Sequence, residues 1–271
     1  VNSPEQRMPA STHDAFESSR DYVQSLARGL AVLDSFGPEA DRMSLSQVAE
    51  RTGLTRAAAR RLLLTLQHLG YVRSEGRQFA LSPKVLQLGH RYLGALNLTD
   101  LTQPLVEALS RQLNESCSLA VLDGHDIVYV ARVPVRRIMT VSLGVGARLP
   151  AFCASLGRVL LGRKSDAELR DWLAVLKPER FTAHTLTGKE KIRAAIERAR
   201  RDGYSYVEQE LELGLCSLAV PVRNRQGEII AALNLSTPYR PDAEHYATGK
   251  CLPALRKAAA AIEKTINASG F

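Results

Sequence analysis

The sequence predicts an α+β protein in two parts: an N-terminal helix-turn-helix with a β wing, then a linker helix and a domain on a mostly antiparallel sheet. Three observations carry this. Leu45 to Leu81 (LSQVAERTGLTRAAARRLLLTLQHLGYVRSEGRQFAL) reads as helix, turn, helix and hairpin. From Cys117 onward the helical spacing of apolar residues gives way to β-rich runs split by turn signals. The chain has 271 residues, 45% of them hydrophobic and 24% charged, enough for two cores.

Residues 1–21 (VNSPEQRMPASTHDAFESSRD) are polar and lack an apolar segment of the signal-peptide kind, so a disordered tail is expected. No apolar run approaches membrane-spanning length. A cytoplasmic location, with no membrane partner, follows as an expectation.

The first domain is expected over 22–82. Tyr22 to Phe36 spaces Val23, Leu26, Leu30 and Leu33 as a helical stripe, and Gly37-Pro38 stops it. Leu45 to Thr52 forms the next helix, with Gly53-Leu54 as the turn. Thr55 stands where an N-cap belongs, because its hydroxyl can accept a free first-turn amide. On the helix that follows, Ala58, Ala59, Leu62, Leu63, Leu66 and Leu69 share one side. Arg56, Ala57, Arg60, Arg61, Gln67 and His68 share the other, and Gly70 ends the helix. Leu64 falls on the polar side without an evident reason. Tyr71–Arg73 and Gln78–Leu81 then alternate about Glu75-Gly76, a hairpin.

A helix that presents its first turns to a polyanion needs this layout. Arginine can fork onto guanine or phosphate oxygens, and small Ala57 permits close approach. Thr55, Arg56, Ala57, Arg60 and Arg61, with Arg73 and Arg77 on the wing, are the candidate DNA contacts. Net charge is +8, but residues 1–82 hold 10 Lys+Arg against 9 Asp+Glu, so the reading rests on local clustering. An operator duplex is the expected partner. A homodimer or tetramer is expected too, since one such helix reads few bases.

Ser82-Pro83 opens a linker helix over 83–99, and Thr99-Asp100 restarts a helix to about Asn114. The second domain is expected over 100–271. Its strands are Cys117–Leu122, Ile127–Val133, Ile138–Val145, Tyr204–Glu208, Ser217–Val222 and Ile229–Leu235. Its helices are Ala151–Gly162, Asp166–Leu176, Gly188–Arg201 and a long Asp242–Ile266.

The stretch TGLTRAAARRLLLTLQHLGYV resembles the winged helix of the IclR family of bacterial transcriptional regulators. GARLPAFCASLGRVLLG, EQELELGLCSLAVPV and GEIIAALNLS resemble that family's effector domain, whose fold is related to the GAF type. RAAARRLLLTL, IVYVARV, RLPAFCASLGRVLL and LELGLCSLAVPVR look like the branch controlling protocatechuate and 4-hydroxybenzoate breakdown. The resemblance implies a transcriptional activator, with RNA polymerase as a further partner, answering to a small aromatic or dicarboxylic acid such as 4-hydroxybenzoate, protocatechuate or β-ketoadipate. A repressor sensing another small carboxylate and a ligand-free regulator acting through protein contacts are the alternatives.

The resemblance places the effector pocket at Ser155, Leu156, Gly157, Ser217, Asn234 and Ser236. A carboxylate in an apolar cavity also wants a cation, for which Arg148 or Arg158 is available, and Phe152 could pack on a ring. Glu210 and Glu212 are weaker candidates, since a carboxylate facing an acid needs a proton or a cation. Ser155 could instead be an N-cap, and Ser217, Asn234 and Ser236 an exposed sheet face.

Cys117, Cys153, Cys216 and Cys251 form no CxxC pair, so no metal site and no redox motif is expected, and no cofactor. Nor is an enzyme: Cys153 or Ser155 would need His125, His184 or His245 as base. No G-x-S-x-G, H-E-x-x-H or P-loop accompanies them.

Overall fold

The computed structural model describes residues 16–37, 39–89, 98–135 and 144–268, which divide into two compact units between His90 and Arg91. That division falls inside the segment expected as a linker helix, of which residues 90–97 lie outside the described residues. Its start is a 3-10 turn at Pro83–Val85, with the Ser82 hydroxyl accepting from the Lys84 amide. Of the tail, only its end is described, where Phe16 packs edge-on against Tyr22 at 5.9 Å.

In the first unit, α1 (Gln24–Asp34), α2 (Leu45–Thr52) and α3 (Arg56–His68) close on a core of Val32, Phe36, Met43, Val48, Leu63 and Leu66. The stripe expected on α1 is corrected. Val23, Leu26 and Leu30 are exposed, and Val32 is the residue that α1 buries. The helix is entered later than expected, at Gln24, and mid-helix Gly29 lies against Leu62 of α3. Ser44 and Gln47 cap α2 reciprocally. Its end at Gly53 takes the left-handed conformation, φ 65°, that glycine adopts without steric cost.

A strand that the sequence did not suggest, β1 (Arg42–Ser44), pairs with the hairpin β2 (Val72–Glu75) and β3 (Gln78–Leu81) in the order β1-β3-β2. The wing is thereby tied into the unit. Lys84 donates to the last turn of α3 at Leu69 O (2.8 Å), holding the chain after β3 against the helix.

The second unit opens with α4 (Leu98–Leu113). Its six-stranded sheet is antiparallel throughout, in the order β6-β5-β4-β9-β8-β7. The strands are β4 (Ser116–Asp123), β5 (Asp126–Val133), β6 (Arg148–Pro150), β7 (Ser205–Glu208), β8 (Leu215–Arg223) and β9 (Ile229–Pro238). One face buries Cys117, Leu119, Leu218, Val220, Leu233 and Leu235 under α4 and the C-terminal helices. The other buries Ala120, Ile127, Tyr129, Ala219 and Ala232 under α5 (Ser155–Leu161), α6 (Asp166–Val175) and α7 (Lys189–Asp202). Helices on both faces explain why LCSLAVPV is apolar almost throughout instead of alternating.

One expectation falls mostly outside the described residues, and another is corrected here. Of the strand expected over Ile138–Val145, 138–143 lie outside the described residues and Val145 sits in a turn; the edge strand is β6. The single helix expected over Asp242–Ile266 is three pieces: α8 (Ala243–Tyr246), a π-helical turn (Ala247–Cys251) and α9 (Leu252–Ala268). The irregular turn comes just before Pro253, which cannot supply a backbone N–H to the helix.

Candidate functional site

On the first unit, Thr55 caps α3 by accepting from the Ala58 amide at 3.2 Å. This orients the exposed row of Arg56, Ala57, Arg60 and Arg61. None of these arginines has an ion-pair partner among the described residues, and neither does Arg77. Arg73 differs: Glu75 takes it at 3.2 Å and also binds Arg42 across the sheet. The one acid of the wing is thus used internally, and the helix arginines stay free for an external anion.

Between α3 and the wing runs a groove of about 470 Å³ whose lining includes Arg56, Arg60, Leu64, Gln67, Arg77 and Phe79. This accounts for Leu64. It is 45% exposed on the polar side of α3 because it floors this groove.

In the second unit, a cavity of about 30 Å³ lies between the start of α5, the sheet and the segment 209–214. Ser155 and Leu156 of α5, Ser217 of β8, Asn234 and Ser236 of β9, and Glu210 all line it. The register explains the convergence. Ser217 pairs with Ser236 across β8 and β9, so both point to the α5 face. Ser217 Oγ donates to Ser155 Oγ at 2.8 Å. Ser155 is therefore not the N-cap; Ala154 holds that position, without a side-chain bond. Asn234 is buried, and its Oδ1 has no hydrogen-bond partner.

Four other expected residues lie elsewhere. Arg148 sits on the edge strand β6 and bonds Asp123 (2.7 Å) and Asp126 (3.2 Å) of the β4–β5 hairpin, so it is off the cavity and already neutralised. These partners hold its guanidinium pKa above the usual value, the Asp123 hydrogen bond foremost. Phe152 is buried in the core beneath α5, with Phe181 at 6.4 Å. Gly157 is needed for packing: a Cβ there would stand 2.0 Å from the carbonyl oxygen of Ala151. Glu212 belongs to the turn that leads into β8, where its carbonyl accepts from the Leu215 amide at 3.2 Å.

Arg158, the other cation proposed from sequence, forms a buried ion pair with Glu210 at 2.7 Å. The side chains are 5% and 8% exposed. Arg158 Nε also donates to Phe152 O at 3.0 Å, and Glu210 accepts from the Leu186 amide at 3.0 Å. The pair pins the 209–214 segment to α5. Gln209, at φ 54°, takes the left-handed conformation at the start of that segment.

Two features of this site escaped sequence reasoning. Tyr129 lines the cavity. Burial raises its phenol pKa, opposed by the nearby Arg132 charge. A β-bulge in β5 puts Tyr129, which lines the cavity, and Arg132, which does not, on the same face of the sheet. Cys153, also at the cavity, has its thiol pushed up to about 12, by burial first and the Glu210 charge second. It is therefore protonated near neutral pH and unsuited to nucleophilic attack. Among the described residues no cluster of metal-ligating side chains occurs, and no helix is long and apolar enough to cross a membrane.

Residues 25–76 match the IclR helix-turn-helix domain, and residues 90–264 match the family model "Bacterial transcriptional regulator IclR C-terminal". The chain is 44% identical over 230 residues to the Pca regulon regulatory protein of Pseudomonas putida, covering 84% of this chain and 79% of that one. It is 37% identical to the p-hydroxybenzoate hydroxylase transcriptional activator of Acinetobacter baylyi, covering 89% and 91%. Among solved structures, an IclR homolog from Microbacterium hydrocarbonoxydans, complexed with 4-hydroxybenzoate, superposes with a TM-score of 0.79. It is 26% identical, and the match covers 90% of this chain and 99% of that one. Two family domains in series and relatives of this kind place the chain in the IclR family of bacterial transcriptional regulators, in the branch of the Pca and p-hydroxybenzoate regulators.

Proposed function

We propose that the cavity between α5 and the sheet is the effector site of a dimeric activator of aromatic acid catabolism genes, and that α3 with the wing reads its operator. The observation that carries the reading is the polar lining of a buried cavity. Ser155, Ser217, Asn234 and Ser236 come from three separate elements, the first and third buried and the other two half-buried, and converging hydroxyls and amides of this kind orient a small ligand rather than stabilise a core. The 4-hydroxybenzoate complex of the Microbacterium relative supports an aromatic acid as the ligand class.

The cavity's size sets the mechanism. About 30 Å³ is room for little more than a water, whereas an aromatic ring needs on the order of 150 Å³. Binding therefore has to displace a wall. The 209–214 segment is the irregular wall: it is held by the Arg158–Glu210 pair, by the Thr182 and Thr185 hydroxyls donating to Gln209 O and Glu210 O (2.6 Å each), by the Leu186 amide on Glu210 (3.0 Å), and by bonds at its own ends, Gln209 N to Leu215 O (2.7 Å) and Gly214 N to Gln209 Oε1 (3.0 Å). A ligand that favours the displaced arrangement shifts the population toward it, and that shift is the signal passed to the DNA-binding pair.

A thermal-melting panel at fixed pH and salt tests the assignment, with 4-hydroxybenzoate, protocatechuate, β-ketoadipate, benzoate, glyoxylate and pyruvate. At a hundred times Kd, a ligand specific for the folded state adds about 2.7 kcal/mol, or roughly 5–10 °C in Tm. One of the first three compounds should give that shift. No shift from any compound removes the effector site and leaves the DNA interface standing.

A further inference from the structure

We propose that Arg132 holds the carboxylate of an aromatic hydroxy acid and that Asn234 receives its hydroxyl, an inference that rests on the effector reading above. The β5 sequence DIVYVARV alternates so that Ile127, Tyr129 and Ala131 would share one face and Arg132 would point away from them. The bulge overturns this. Ala120 of β4 pairs with Tyr129, yet Leu119 pairs with Ala131, so one extra residue, Val130, is absorbed between them. Tyr129 and Arg132 then both face the cavity side, while Val130 and Ala131 pack into the opposite core.

Register carries the row further. Arg132 pairs with Ser118, and Ser118 with Asn234 on its other side. The three residues stand abreast on adjacent strands, with about 10 Å between the outer two backbones. One substituted aromatic ring can bridge that separation.

The bonding of the row is incomplete in a complementary way. Arg132 donates through Nη1 to Ser118 Oγ at 3.0 Å, and its guanidinium lies 5.2 Å from the centre of the Tyr129 ring, a ring that lines the cavity. Its Nε is fully buried and has no acceptor. The Asn234 Oδ1 is fully buried and has no donor. Buried polar atoms left without partners are costly in a stable core. Arg148 and Arg158 are each held by carboxylates, whereas Arg132 has none among the described residues. A ligand with a carboxylate at one end and a hydroxyl donor at the other completes both ends of the row.

The test is calorimetric titration of the full-length protein with 4-hydroxybenzoate and with 4-hydroxybenzamide, its neutral counterpart. Both ligands are run on one sample, so their affinity ratio is independent of the folded fraction. The wild type should prefer the acid. Arg132→Met should weaken the acid about 10- to 100-fold, the usual effect of a charge-assisted hydrogen bond, and leave the amide nearly unchanged. Arg132→Lys should keep part of the preference. Asn234→Leu should abolish discrimination between 4-hydroxybenzoate and benzoate. An Arg132→Met protein that retains the wild-type acid-to-amide ratio overturns the assignment of Arg132. A wild type that binds β-ketoadipate but neither 4-hydroxybenzoate nor protocatechuate keeps the effector site and overturns the Arg132–Asn234 pairing. A wild type that binds no acid overturns both readings together.

Discussion

Arg60 stands on the exposed side of α3, one helical turn beyond Arg56 and at the edge of the groove shared with the wing, with no carboxylate to hold it among the described residues. A guanidinium so placed is available to a partner outside the protein. Arg60→Ala should lower operator affinity by about 1–3 kcal/mol if it contacts a base, measured by fluorescence anisotropy at fixed salt. Unchanged affinity would strike Arg60 from the interface. Buried thiols show the reverse logic, in which the environment suppresses chemistry. Cys117 and Cys153 are both pushed up to about 12, chiefly by burial, which disfavours the thiolate. At pH 8 both should resist a thiolate-selective reagent until the protein unfolds, so labelling should track unfolding. The sign for stability follows. A raised thiol pKa contributes stability that is whole below the unfolded value near 9 and is lost as pH rises toward about 12. Fast labelling of Cys153 in the folded state would contradict its placement.

At the scale of elements, α5 and the 209–214 segment behave as one assembly. Gly157 lets α5 lie against the turn at Ala151, where a Cβ would meet backbone at 2.0 Å, and Arg158 reaches from the same helix to Glu210. Gly157→Ala should cost at least about 1–3 kcal/mol, because the clash is with a carbonyl rather than with a flexible side chain. Glu210→Gln leaves the Arg158 charge buried and uncompensated, and should cost about 3–5 kcal/mol by urea denaturation. Replacing both members by apolar residues should cost less than either single change, since the desolvation of both charges is then avoided. A double variant as unstable as Glu210→Gln would mean that the pair stabilises through packing instead.

At the scale of the molecule, the net charge of +8 is unevenly used. In the second unit, several arginines are spent on internal pairs, such as Arg148 with Asp123, Arg200 with Asp166 and Arg158 with Glu210. The unpaired arginines named here for DNA lie on α3 and the wing tip. Operator affinity should therefore fall steeply with salt, as arginines displace counterions from phosphates. If Arg77 at the wing tip contacts a phosphate, Arg77→Ala should make the log–log slope shallower by about one and weaken binding evenly across DNA sequences. A slope unchanged by Arg77→Ala would place the wing off the duplex.

The helix-turn-helix was legible because its determinants are local. Thr55 as cap, the apolar spacing of Leu63 and Leu66, and Gly53 and Gly70 at the helix ends all act within a turn or two of chain. The antiparallel strands were legible for the same reason, through β-rich runs and the turns at Asp123-Gly124 and Asn224–Gly227. Ser155, Ser217, Asn234 and Ser236 could be placed at one cavity from sequence only through their likeness to a family. What the sequence alone could not determine depends on partners distant in the chain. The pairing of β1 with the wing, the place of Leu64 in the groove, the capture of Arg148 by the β4–β5 hairpin and of Arg158 by Glu210 are long-range choices among chemically equivalent groups. The bulge at Val130 is the sharpest case. One residue absorbed into a strand exchanges its two faces, and period-2 alternation carries no mark of where that happens, so only the folded sheet decides that Arg132 shares a face with Tyr129.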